Sequence, residues 1–145
     1  MGAFQNPALQ YYAIASSVLA LHLIAIALWT GRVRVQKKQY TNPEDAKLNK
    51  ADHTEVEHPD VRRVIKAHTN ALENAIPFFV VGALYVVAGA SKTGALVYFA
   101  TFVGARILHT FVYLAGKQPF RTLSFAIGAL AVIGMAVSVI RAALA

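Results

Sequence analysis

Lys66, Asn70 and Glu73 fall at intervals of four and three residues, with Arg63 three residues before them, so a helix over this stretch carries all four on one face. Arg106, His109 and Tyr113 repeat the same spacing further along the chain. Cations, an amide, a carboxylate, an imidazole and a phenol on two faces of one small protein have two uses. Glu73 and Arg106 can neutralise each other and pin two helices together, a device that contributes more to specificity than to stability. Alternatively, the two faces meet at a polar ligand, and the surplus of Lys66, Asn70, His109 and Tyr113 over a simple pair favours this second use, because buried polar groups require partners. Other chemistries lack their residues. The chain has no cysteine, which removes disulfides, thiolate metal ligands and cysteine nucleophiles. Its histidines and acids form no His-x-x-x-His and no pair of Glu-x-x-His motifs on facing helices, so no metal site is expected.

These residues sit in apolar surroundings. With 57% hydrophobic and 14% charged residues and a mean hydropathy of +0.48, the chain is too apolar for an ordinary soluble domain of 145 residues. Apolar stretches near 9–30, 65–89, 93–115 and 122–143 are each long enough for a helix to cross a hydrocarbon core about 30 Å thick. They lack the alternation of barrel strands. The sequence therefore predicts an all-α, integral membrane, four-helix up-down bundle forming a single domain over 1–145. A charge at a bilayer-centred position costs roughly 2.5–3.5 kcal/mol on insertion scales, so Glu73 and Arg106 are expected inside the bundle and away from lipid. The first stretch has no basic segment before it and no clear cleavage site after it, and is read as a retained helix.

The net charge of +7 is uneven. Arg32, Arg34, Lys37, Lys38, Lys47 and Lys50 lie in the polar 31–62 segment, Arg62, Arg63 and Lys66 at its end, and Lys117 and Arg121 between the third and fourth stretches. The positive-inside rule places both regions in the cytosol and both termini on the opposite side. The acids interspersed in the segment argue against nucleic acid, and contact with anionic lipid headgroups is the simpler role for its cations. The alanine-rich helices point to a bacterial inner membrane rather than the endoplasmic reticulum. Asn42-Pro43 before Glu44-Asp45 predicts a turn opening a short helix, with acids favoured in its first turn. Pro77 continues the stripe of the second helix and deprives it of one internal hydrogen bond. His22 reads as a satisfied interior group, His53 and His58 as solvated loop residues, and Trp29 and Tyr40 as membrane-interface anchors.

At these stripes the sequence resembles the MAPEG family, the membrane-associated proteins in eicosanoid and glutathione metabolism. The likeness is carried by Arg63-Val-Ile-Lys66-Ala-His68-Thr-Asn70-Ala-Leu-Glu73, by Gly31-Arg-Val-Arg34 with Asn42-Pro-Glu-Asp-Ala46, and by Arg106-Ile-Leu-His109-Thr-Phe-Val-Tyr113. It runs from about residue 28 to the C-terminus and is nearest the prostaglandin E synthase and microsomal glutathione transferase branch.

The resemblance implies a homotrimer with glutathione held between subunits near the cytosolic face. By it, Arg34 and Lys66 meet the carboxylates of glutathione, Asn70 and Glu73 hold its peptide and amine end, and His68, His109 and Tyr113 complete the binding set. Arg121 would stand near the sulfur as the catalytic group, with Thr122 in place of an assisting serine. Arg63, Arg106 and Asp45 would support the site from outside the ligand contacts, although Asp45 equally suits a plain helix-opening acid. A guanidinium beside a thiol favours the thiolate, the nucleophilic form. Lys66 and Thr69 replace arginines of the synthase branch and Phe125 replaces a tyrosine, so the implied activity is glutathione transfer to lipophilic electrophiles from the bilayer, in a detoxifying role, with reduction of lipid hydroperoxides beside it. A glutathione-dependent endoperoxide isomerase and a non-catalytic membrane scaffold are the alternatives.

Overall fold

The computed structural model describes residues 5–145; residues 1–4, part of the segment before the first apolar stretch, lie outside them. In chain order the elements are α1 (Pro7–Lys37), β1 (Gln39–Tyr40), α2 (Pro43–Leu48), β2 (Asp52–His53), α3 (Pro59–Val87), α4 (Lys92–Leu114) and α5 (Phe120–Leu144). The helices α1, α3, α4 and α5 are each long and apolar enough to cross a membrane.

Local chemistry sets where these helices begin. Pro7, Pro43 and Pro59 each open a helix, where a missing N–H costs nothing. Asn6 accepts from the Ala8 amide at 2.9 Å and Ser91 from the Gly94 amide at 3.1 Å, capping α1 and α4. His58, expected as a solvated loop residue, instead caps α3 through Nδ1, which accepts from the Asp60 amide at 3.1 Å. α1 runs beyond the apolar stretch to Lys37 and stops where Lys38 turns left-handed. Arginine, lysine and glutamine are good helix formers, so leaving the apolar run does not end the helix. The 31–62 segment is thereby reduced to a connection between Lys37 and Pro59, folded around α2 and one parallel pairing of β1 with β2. That pairing buries Tyr40, which is therefore not an interface anchor.

Ala67, Ala71 and Ala75 are buried at every fourth position of α3, and small residues at that spacing let neighbouring helices approach closely. Ala71 joins Val61 and Val64 against Ile26 and Val33 of α1. Towards the other end, Phe78 of α3 stacks on Phe102 of α4 with centroids 4.4 Å apart, and Phe99, Leu19 and Met135 close around them. Short turns after α3 and α4 leave consecutive helices antiparallel, with α4 packed extensively on α5 and α3 touching α1, α4 and α5. The connection between α1 and α3 and the turn between α4 and α5 thus lie at one end of the bundle. Large apolar side chains such as Leu21, Leu28, Val87, Leu108 and Leu130 face outward along it.

Candidate functional site

The start of α3, the end of α4 and the start of α5 converge at the end of the bundle that bears the long connection. Between them lie two recesses. One, about 420 Å³, is lined by Pro59, Arg62, Arg63, Lys66, Tyr113, Gly116 and Arg121. The other, about 240 Å³, is lined by Asn70, His109, Tyr113, Arg121, Thr122 and Phe125. Tyr113 and Arg121 belong to both and stand at their junction. The larger recess is lined by Arg62, Arg63, Lys66 and Arg121 with no acid among them, a surface made for carboxylates or other anions.

Arg121 is held from several directions. Its guanidinium lies over the Tyr113 ring, 5.0 Å from the centroid. A guanidinium has only donors, so the Gln118 amide turns its oxygen towards it, accepting from Nη2 at 2.8 Å and Nε at 3.2 Å. The backbone carbonyl of Arg121 accepts from His109 Nδ1 at 3.0 Å, and Ser124 Oγ lies 3.2 Å from the same nitrogen. A carbonyl only accepts, so Nδ1 carries the proton, and in the neutral ring Nε2 is left as an acceptor. Nε2 is buried without a partner among the described residues, so His109 carries an unmet acceptor beside the smaller recess it lines.

Arg106 is 1% exposed, and its Nη2 donates to Asn70 Oδ1 at 2.5 Å. This takes the place of the pairing with Glu73 that was the first of the two uses weighed above. Glu73 lies about 60° round α3 from Asn70 at 100° per residue, on the outward surface of the single chain. It is therefore not inside the bundle of this chain. Its backbone carbonyl is the one that a residue four positions on would bond, and that residue is Pro77, which has no N–H. Glu73 thus offers a carboxylate beside a backbone carbonyl that lacks its usual i+4 donor. His22, as expected, is satisfied internally, by Thr110 Oγ1 at 3.0 Å.

Other expected residues stand apart from the recesses within this chain. Arg34 is engaged in an ion pair and hydrogen bond with Glu57, a partner the sequence did not suggest. Asp45 sits in the first turn of α2 and accepts from Asn42 Nδ2 at 3.0 Å, the helix-opening role. His68 projects from a different face of α3 than Lys66 and Asn70. Arg63 reaches the α4–α5 turn, where Gly116 has φ +68° and a Cβ would lie 2.8 Å from Arg63 Nη1. Gln118 and Ser124 were missed by sequence reasoning; the spacing of Gln118 and Thr122 by four was the available signal for the former.

A family model described as the MAPEG family matches residues 12–141. The chain belongs to the MAPEG family. The match begins within α1, earlier than the motifs near residue 28 suggested. Relatives in the family include prostaglandin E synthase of Homo sapiens, 32% identical over 136 residues, covering 93% of this chain and 90% of that protein. Microsomal glutathione S-transferase 1 of Rattus norvegicus is 34% identical over 144 residues, covering 96% and 93%. Its Homo sapiens counterpart is 37% identical over 122 residues, covering 81% and 79%. With four helices of membrane-spanning length and polarity, this MAPEG chain is an integral multi-pass membrane protein.

Proposed function

We propose that this protein is a membrane-bound glutathione transferase that lowers the pKa of the glutathione thiol and presents the thiolate to lipophilic electrophiles from the bilayer. The observation that carries this reading is the placement of Arg121 at the junction of the two recesses, fixed by Tyr113, Gln118 and, through its backbone, His109. Glutathione bears two carboxylates and one ammonium. The carboxylates suit the cations of the larger recess, Lys66 included; Asn70 and His109, which line the smaller one, suit its peptide groups. The ammonium needs an acid, and Glu73 is the outward-facing carboxylate one turn from Asn70.

A carboxylate facing outward from a membrane-spanning helix requires cover by another polar surface. We assign that cover to a second copy in a homotrimer, with glutathione between subunits and Arg34 reaching it from the neighbour. The end of the bundle bearing the recesses faces the cytosol, by its concentration of basic residues. In the reaction the thiol proton passes to solvent, and the sulfur forms a bond to an electrophilic carbon. Where a halide leaves, it departs with its bonding pair.

Endoperoxide isomerisation is the second reading, favoured by the similarity to prostaglandin E synthases over 93% of the chain. It is disfavoured by Lys66, Thr69 and Phe125, noted above. Purified protein assayed with glutathione against a chlorinated nitroaromatic and a lipid endoperoxide separates the two. Conjugate formation with the aromatic is expected; turnover of the endoperoxide alone would reverse the assignment.

A further inference from the structure

We propose that Gln118 is a positioning residue: fixed by Arg121, its amide donates to Thr122, so that the Thr122 hydroxyl proton is free for the sulfur of a bound thiol. The inference rests on the thiol-activation reading above and deepens it.

Gln118 lies in the turn before α5, one helical turn ahead of Thr122, and among the described residues it is the side chain that reaches both Arg121 and Thr122. With its oxygen committed to the guanidinium at 2.8 Å, its amide nitrogen faces Thr122 Oγ1 at 3.2 Å and donates to it. A hydroxyl has one proton and two acceptor lone pairs. Once a lone pair is filled by Gln118, the proton is available to a third group. In the opposite orientation Thr122 would give its proton to the Gln118 oxygen, and the amide N–H groups would meet a guanidinium that can accept nothing. The charge on Arg121 therefore excludes that arrangement, and the amide transmits the exclusion to Thr122. Both residues line the smaller recess, so a sulfur placed there meets two donors, one charged and one neutral. Tyr113 cannot do this, since it touches Arg121 through its ring face, nor can His109, which holds only the backbone carbonyl.

The test follows the ultraviolet absorbance of the bound thiolate against pH, with kcat and KM for conjugation of a chlorinated nitroaromatic, in the full-length protein in detergent. Gln118 is exposed, so Gln118→Leu is expected to fold. It should raise the pKa of the bound thiol by about one unit, a roughly tenfold loss of thiolate below that pKa. At neutral pH kcat should fall about tenfold in step, with KM for glutathione changing less than about twofold. Thr122→Val should do the same, and the double variant should be worse than either single by less than about twofold, because both remove one donor. Thr122→Ser should keep the wild-type titration. Gln118→Glu, which binds the guanidinium but cannot donate to Thr122, should raise the pKa further. An unchanged titration in Gln118→Leu, a double variant equal to the product of the singles, or an effect confined to KM each overturns the proposal. A wild-type bound thiol that titrates like free glutathione is a different result and overturns the thiol-activation reading itself.

Discussion

Arg106 and Asn70 form a hydrogen bond of 2.5 Å between α4 and α3, with the guanidinium 1% exposed and its Nε and Nη1 buried without partners among the described residues. A charge in that position is held by a single neutral amide. Asn74 Nδ2 in turn donates to the Asn70 carbonyl at 2.8 Å, so the helix around the amide is itself braced.

Asn70→Leu should therefore destabilise the protein by about 3–5 kcal/mol, the usual consequence of stranding a buried charge. Arg106→Met in the Asn70→Leu background should recover part of that loss. Thermal unfolding in detergent measures both. A double variant less stable than Asn70→Leu alone would show that Arg106 contributes through groups other than Asn70.

Glu73→Gln keeps the shape of the side chain and removes its charge. It should raise KM for glutathione by about tenfold or more, since one partner of a charge-assisted contact is lost. Native mass spectrometry in mild detergent should give the mass of three chains for both wild type and variant. A wild-type monomer that binds glutathione with full affinity would remove the shared site.

Arg121→Leu should leave glutathione binding largely intact while raising the pKa of the bound thiol. A guanidinium that stabilises the thiolate by about 2 pKa units contributes about 2.7 kcal/mol, so the thiolate fraction at neutral pH falls up to about a hundredfold. Wild-type conjugation should rise with pH up to the lowered thiol pKa and level off above it; the variant should keep rising to a higher pH. Arg121→Lys should recover part of the loss, as a point charge without the planar fork. The pH profile of kcat checks the set, and coincident profiles would remove Arg121 from thiol activation.

Topology is testable with Ala51→Cys in the long connection and Ser91→Cys in the turn before α4. In sealed vesicles with the cytosolic face inside, an impermeant maleimide should label position 91 and spare position 51. Labelling of 51 alone would reverse the assigned orientation, and equal labelling of both would refute the placement of the two positions on opposite sides.

Apolar run length and the three-four spacing were sufficient to locate the helices and to place Lys66, Asn70 and Glu73 on one face, because both follow from helical geometry alone. The partner of Arg106 was not legible. Choosing between Asn70 and Glu73 depends on the rotation of α3 against α4, which is set by the packing of Phe78 on Phe102 and by the alanine seam on α3. The extension of α1 to Lys37 was hidden for another reason: hydropathy reports where lipid ends, and the helix continues into water. Gln118 lay in a turn ahead of the last apolar run, where its spacing of four from Thr122 was the one hint of its role.

The turn between α4 and α5 works as a keyhole. At residue 116 the backbone is left-handed and the space a methyl group would fill is occupied by the end of Arg63, 2.8 Å away. A bulkier residue there is strained by the left-handed backbone and also displaces a cation from the rim of the basic recess. Gly116→Ala, a change between two uncharged residues, should therefore carry an electrostatic effect on the recess beside its backbone strain.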